Sequence, residues 1–284
     1  DQRSSLCRDL EALEPPFARV MCANAEHTQA TFCWDGWGEI LDEGKRVKIH
    51  LCSPSPRESV GIVHAAVSYA LAQQGALFLH AAAVARNGMC AIAVGDSGTG
   101  KSSLTVAALS AGFRVVTDDS VMLVADDESD RLTAYPNRQD LFLHADAAAL
   151  LPQSARRFVS EAAAPTNPKS VLARRHAPAH FLPQGDPTVM LLLDPSQRGA
   201  DTEVRVASQA EALAAIVAAC PSLVLGRLAL DLPTMRTALR LVAAVPAFHV
   251  RVSRELMTHP SDTVEELAAK LQALEPARIS ASAA

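Results

Sequence analysis

The chain has 284 residues, of which 49% are hydrophobic and 20% are charged, and its mean hydropathy is +0.11. This length fits two domains of roughly 150 residues each. The apolar content excludes global disorder, because enough surface can be buried to offset the entropy lost on ordering. The net charge of -5 and the pI of about 6.0 disfavour a protein that coats nucleic acid with basic residues.

The six cysteines form no CxxC pair and have no histidine at ligand spacing, which is typical of reduced thiols. Every apolar run is interrupted before it reaches the roughly 20 residues that span a bilayer. The first residues lack the basic-then-apolar order of a signal peptide. We therefore expect a cytoplasmic protein with neither a membrane nor a nucleic acid as its partner.

Residues 1–56 are predicted to form a small β-rich unit, because short apolar runs alternate with turn residues between positions 17 and 51. Serine and proline then alternate over 53–56, and apolar residues at helical spacing predict a helix over 58–74. The runs LFLHAAAVA (77–85) and MCAIAVG (89–95) follow. Arg-Asn-Gly joins them, which predicts a hairpin turn.

Residues 57–284 are predicted to form an α/β domain, because strand-like runs and helical patterns follow one another along them. A helix over 102–112 precedes strands at 113–119, 121–127 and 131–136. Residues 145–183 are rich in alanine, proline and arginine with weak periodicity, and we expect a mobile insert there. The remaining predicted elements are a buried strand over 189–195, helices over 211–220 and 235–245, a strand over 247–253 and a helix over 263–274.

A phosphate-binding loop is predicted where the apolar run 89–95 ends. Glycine is scarce in this chain, with 13 residues, and there are only five lysines, yet three glycines and one lysine fall within 95–101. The text GDSGTGKS matches GxxxxGK[ST], in which backbone N–H groups cradle phosphates, the lysine reaches the β- and γ-phosphates and the final hydroxyl ligates Mg²⁺. The predicted nucleotide-binding residues are Gly95, Asp96, Ser97, Gly98, Thr99, Gly100, Lys101, Ser102 and Ser103.

An acidic pair, Asp118 and Asp119, is expected to return to this loop. A ten-residue helix leads about 15 Å away from the phosphates, and the extended segment 113–119 returns by roughly 23 Å. One carboxylate there can hold Mg²⁺ and another can accept a proton from an attacking hydroxyl. His80 lies 15 residues before Gly95, and the hairpin predicts that it falls near the same edge of the sheet.

The spacing of His80, the loop and the segment FRVVTDDSVML resembles that in the catalytic domain of bacterial HPr kinase/phosphorylase, a branch of P-loop proteins related to phosphoenolpyruvate carboxykinase. The resemblance implies an α/β kinase core of that type, with a mixed central sheet flanked by helices and a small β-rich N-terminal unit, and with ATP and Mg²⁺ as cofactors. It makes Asp118 the base that takes a serine hydroxyl proton and Asp119, with Ser102, a metal-side group. It makes His80 a partner of the catalytic carboxylate or a metal-side group, and Lys101 a catalytic cation.

The chain departs from this family at two points. The family has glutamate directly after the serine of the loop, where this chain has Ser103, and its downstream arginine-bearing signature has no clear counterpart. That signature is linked to phosphorolysis, so a one-way kinase is expected. The length and the β-rich start are more similar to HPr-kinase-like enzymes of peptide biosynthetic clusters, including lasso peptide clusters, which phosphorylate a serine of a precursor peptide. Family members often form hexamers, which leaves a homo-oligomer open.

Four other basic residues are candidates for binding the substrate or a phosphate: Arg138, Lys169, Arg174 and Arg175. For the function, a kinase acting on a small alcohol or sugar stays open beside the serine kinase, since acceptor pockets lie in the segments outside the match. A nucleotide-driven ATPase or switch and an inactive binding module are further alternatives. No LSGGQ-like motif is present, which disfavours a transporter-type ATPase.

Overall fold

The computed structural model describes residues 19–20, 28–32, 36–41, 46–51, 67, 70–72, 74–129, 131–137, 140–161, 170–194, 201–220 and 233–281. By their contacts, the residues divide into two compact units, one made of 1–76 with 222–236 and the other of 77–221 with 237–284. The boundary predicted at residue 56 therefore falls within the first unit. Serine-proline alternation marks a break in regular structure, which need not coincide with the limit of a set of tertiary contacts.

The first unit contains four described strands in the region where the sequence predicts β structure. They are β1 Arg19–Val20, β2 Thr28–Phe32, β3 Gly36–Leu41 and β4 Arg46–Leu51. All neighbouring pairs are antiparallel, in the order β1-β2-β3-β4. Of the helix predicted over 58–74, residues 67 and 70–72 are helical and most of the rest lies outside the described residues.

The described strands of the second unit are β5 Leu77–Leu79, β6 Ala81–Arg86, β7 Met89–Val94, β8 Arg114–Thr117, β9 Val121–Ala125, β10 Leu132–Pro136, β11 Leu141–Leu143, β12 Val159–Glu161, β13 Ser170–Leu172, β14 Val189–Leu193, β15 Glu203–Val206 and β16 Ala247–Arg251. The described helices are α1 Lys101–Ser110, α2 Ala145–Ala149, α3 Gln153–Arg156, α4 Gln209–Ala219, α5 Pro233–Ala244 and α6 Pro260–Ala281, with 3₁₀ turns at Pro178–His180 and Arg254–Met257.

Six strands form a mixed central sheet in the order β15-β16-β14-β7-β6-β8. The three strands β7, β14 and β16 run parallel, and the others pair antiparallel with their neighbours. The carboxyl ends of the parallel strands therefore meet at one edge of the sheet, which is where open α/β sheets bind ligands. Two three-stranded antiparallel sheets, β10-β9-β5 and β11-β13-β12, complete the described β structure of this unit.

The main core lies between one face of the central sheet and the helices α1 and α6. Alternate residues of β7, Ala91 and Ala93, face this core, together with Leu104 of α1 and Leu267 of α6. Small alanines on the strand allow the two helices to approach the sheet closely. A mixed sheet with flanking helices is thus observed, as the resemblance implies.

The segment 145–183 contributes to a second core, although its weak periodicity led us to expect a mobile insert. Its described parts form α2, α3, β12 and β13, and Leu151, Ala155 and Leu172 are almost fully buried against Val106 of α1. The elements are three to five residues long, which is too short for a helical or strand period to show in the sequence. Residues 162–169 lie outside the described residues.

The run LFLHAAAVA is two strands rather than one. β5 pairs with β9 in one sheet, whereas β6 pairs with β7 and β8 in the central sheet. His80 stands at the junction, and its backbone N–H donates to the carbonyl of Ala219 at 2.7 Å. The predicted hairpin between β6 and β7 is present, with Asn87 and Gly88 both at positive φ.

Candidate active site

The phosphate loop leaves β7 at the ligand-binding edge of the central sheet and leads directly into α1. Gly100 is the N-cap of α1 with φ 98° and ψ 14°, and within the described part of the chain no side chain caps the helix. The first N–H groups of α1 are therefore available to an anion, and the helix dipole favours negative charge there. A strand, a glycine-rich loop and a helix thus follow one another as the motif requires.

The start of the loop is closely packed. A Cβ on Gly95 would lie 2.8 Å from Thr99 Oγ1 and 3.2 Å from the carbonyl oxygen of Leu193. Only glycine fits there without displacing the neighbouring strand β14. The Thr99 hydroxyl donates to the carbonyl of Asp96 at 2.9 Å, which closes the turn.

Lys101 lies across this loop. Its residue is only 6% exposed, and its Nζ donates to the carbonyls of Gly95 at 2.6 Å and Asp96 at 2.9 Å. Burial lowers the pKa of the ammonium, and the carboxylates of Asp119 and Asp96 partly oppose this shift. The ammonium now bound to two loop carbonyls can bind phosphate oxygens instead. Phosphate oxygens carry a negative charge, which the carbonyl oxygens lack.

The register of the sheet brings the other predicted groups to the same edge. Ala81 of β6 pairs with Val94 of β7. His80 directly precedes Ala81 and Gly95 directly follows Val94, so both lie just beyond the same end of this strand pair. Thr117 lies opposite Ala83, and β8 ends there with Asp118 and Asp119 immediately beyond. The pairing of β6 with β8 shifts by one residue between Ala83 and Val84, an irregularity of the kind that often lies next to active sites.

His80 and Asp119 are in direct contact. His80 Nδ1 is 2.9 Å from the backbone carbonyl oxygen of Asp119 and 3.5 Å from its Oδ1. A carbonyl oxygen can only accept, so Nδ1 carries the proton in this hydrogen bond. The two side chains are 41% and 48% exposed, whereas Asp118 is 4% exposed. The structure therefore joins His80 to Asp119, where the resemblance implies a partnership with the catalytic carboxylate or a metal-side position.

The oxygen donors near the loop suit Mg²⁺ bound together with phosphates. Among the described residues, no group of three or more His, Cys, Asp or Glu side chains is arranged to hold a metal ion. Mg²⁺ in nucleotide sites needs only one or two protein oxygens beside the phosphates and waters. The hydroxyl of Ser102, in the first turn of α1, and the carboxylate of Asp119 are of the right chemical type.

The four basic candidates are not brought to the loop by any described contact. Arg174 is bound through its backbone N–H to Asp140 Oδ1 at 3.1 Å, and Arg175 contacts the ring of His176. Arg138 and Lys169 lie outside the described residues.

Asp194 directly follows β14 at the same edge of the sheet and was not among the residues predicted from the sequence. It lines a cleft together with Gly98, Gly100 and Ser103. Its signal in the sequence is a run of five apolar residues followed by an aspartate, VMLLLD, which predicts a buried strand but no role for the aspartate.

Comparisons with known proteins complete the description. No family model matches the chain, and no curated protein matches it. Among solved structures, the chain is similar to the HPr(Ser) kinase/phosphatase from Coxiella burnetii, with 11% identity and a TM-score of 0.36, over 69% of this chain and 98% of that chain. At that level the likeness assigns neither a family nor an activity. Within the described part of the chain, no helix is long and apolar enough to cross a membrane.

Proposed function

We propose that this protein is an ATP-dependent kinase that transfers the γ-phosphate to a serine hydroxyl of a precursor peptide or small protein. The observation that carries the proposal is the meeting of two motifs at one edge of the sheet. The charge of Asp119 partly offsets the lowering of the Lys101 pKa by burial, and Asp119 contacts His80. An acidic group beside the loop is typical of P-loop proteins that act on their nucleotide with Mg²⁺, so the pair favours catalysis over binding alone.

The proposed reaction forms a bond from the serine oxygen to the γ-phosphorus and breaks the bond from that phosphorus to the β–γ bridging oxygen. ADP leaves, and Asp118 takes the hydroxyl proton. Lys101 and the N–H groups at the start of α1 balance the charge on the phosphate oxygens. Bound Mg²⁺ neutralises further phosphate charge, with Ser102 and Asp119 as the residues that would hold it.

The exposure of the site favours a serine on a peptide chain as the acceptor over a small alcohol. His80 and Asp119 are each nearly half exposed, so their side of the site is open to solvent. An open flank admits a serine that is carried on a chain, whereas a kinase for a small alcohol needs an enclosed pocket to exclude water. The sequence resemblance to kinases of peptide biosynthetic clusters favours the same class of acceptor.

The test is a transfer assay with γ-³²P-ATP and Mg²⁺ against serine peptides, the same peptides with alanine in place of serine, glycerol, simple sugars and water. The proposal expects label on serine peptides alone, and none with Lys101→Ala. Label only on a small alcohol would overturn the peptide acceptor. Release of phosphate without any labelled acceptor would overturn the kinase itself.

A further inference from the structure

A cleft opens beside the phosphate loop on the side away from His80 and Asp119, towards β14 and β16. The backbone of Gly98–Gly100 and Ser103 form one wall, and residues at the carboxyl ends of β14 and β16 form the other. The cleft is open to solvent at its mouth. Neither the motif nor the acidic pair gives this cleft a role.

The walls of the cleft change in character from mouth to floor. Leu193, Val250 and Leu256 are at most 7% exposed and provide an apolar floor. Asp194 is exposed and stands at the mouth, and it is the one charged side chain among the described residues that line the cleft. An apolar floor with a carboxylate at its mouth suits a ligand with a flat apolar part and a pair of hydroxyl donors.

We infer that this cleft holds the nucleoside part of the phosphate donor, with Asp194 accepting hydrogen bonds from the ribose hydroxyls. The inference rests on the proposed function, because it requires the triphosphate to lie on the loop. The loop backbone cradles the α- and β-phosphates, and ribose is the next group along the nucleotide. Gly98–Gly100 and Asp194 line the same cleft, so the ribose follows directly from the phosphates.

The chemistry of the Asp194 carboxylate suits this task. A carboxylate only accepts, and the vicinal hydroxyls of ribose provide two donors in the spacing that its two oxygens can bind.

The test compares equilibrium dissociation constants by calorimetry, with Mg²⁺ present, for ATP, 2′-deoxy-ATP, 3′-deoxy-ATP and inorganic triphosphate. Wild-type protein is expected to bind ATP at least about tenfold more tightly than either deoxy analogue, as for a hydrogen bond to a charged group. Asp194→Asn should bind ATP at that weaker level and discriminate less between ATP and the analogues. Its affinity for inorganic triphosphate should stay unchanged.

Two further variants keep the test sharp. Val252→Phe fills the cleft and should weaken ATP binding while leaving triphosphate binding intact. Asp186→Asn removes an exposed carboxylate that pairs with Arg131 outside the cleft, and all four affinities should match those of the wild type.

The results also separate this inference from the proposed function. If inorganic triphosphate binds as tightly as ATP, the cleft does not bind the nucleoside and the inference is wrong, whereas phosphate binding by the loop is supported. Equal loss of ATP and triphosphate affinity in Asp194→Asn would instead make Asp194 a phosphate-side or metal-side group, which also overturns the inference. Failure of wild-type protein to bind either ligand would overturn the proposed function and the inference with it.

Discussion

Replacing Gly100 by alanine should abolish tight ATP binding at a modest cost in stability. Gly100 has φ 98°, and a Cβ there would meet nothing within 4 Å. The loss in free energy of unfolding is therefore conformational alone, about 1–2 kcal/mol for a side chain in the left-handed region. Any backbone shift that relieves part of this strain turns the first N–H groups of α1 away from the phosphates. Each lost hydrogen bond to a charged oxygen costs about 1.5–3 kcal/mol, or roughly 10- to 150-fold in dissociation constant.

The matched control is Gly88→Ala in the turn between β6 and β7. Gly88 has φ 82° and also has nothing within 4 Å of an added Cβ, so its strain is of the same kind. Urea unfolding should show similar losses for both variants, and calorimetry should show loss of ATP affinity for Gly100→Ala alone. The reasoning is refuted if Gly100→Ala binds ATP within twofold of the wild type, or if Gly88→Ala weakens binding as much.

Three further predictions concern the acidic pair and the packing of Cys90. Asp118→Asn should slow transfer at least about 100-fold in a single-turnover assay, with ATP affinity little changed. Asp119→Asn should instead raise the Mg²⁺ concentration that transfer needs. The opposite pattern would exchange the two roles. Gly185→Ala should lower the free energy of unfolding in urea by about 1–3 kcal/mol, because its Cβ would lie 2.8 Å from Cys90 Sγ. Adding Cys90→Ala in the same chain should recover part of that loss. If the effects of the two substitutions on the free energy of unfolding simply add, the clash is contradicted. Burial raises the pKa of the Cys90 thiol to about 12, so iodoacetamide at pH 8 should leave it unlabelled in the folded protein and label it in urea, as peptide mapping would show, and labelling at equal rates would disprove its burial.

The phosphate loop could be predicted from the sequence because its determinants are local. The glycines, Lys101 and the apolar run before them are adjacent, and the residues of the helix that follows come directly after them. The hairpin between β6 and β7 was equally local, since Asn87 and Gly88 tolerate the positive φ angles of its turn. These two features sufficed to predict that His80 lies near Gly95.

Features that depend on long-range pairing could not be predicted in the same way. The break at His80 arises because β5 pairs with β9 and β6 with β7 and β8, and both strands are equally apolar in sequence. The place of Asp194 depends on the parallel pairing of β14 with β7, and the residues that pair are 98 positions apart in the chain. The contact of His80 with Asp119 likewise needs the irregular register of β8.

Transfer of the γ-phosphate to a serine hydroxyl tests the central claim most directly. The measurement is a single-turnover assay in which γ-³²P-ATP, Mg²⁺, excess protein and a serine peptide are mixed, and phosphoserine is identified by mass spectrometry. The account predicts phosphopeptide with the wild-type protein and formation at least about 100-fold slower with Asp118→Asn, although both bind ATP. ATP that binds and is turned over only to free phosphate, or phosphopeptide formed at the wild-type rate by Asp118→Asn, would contradict it.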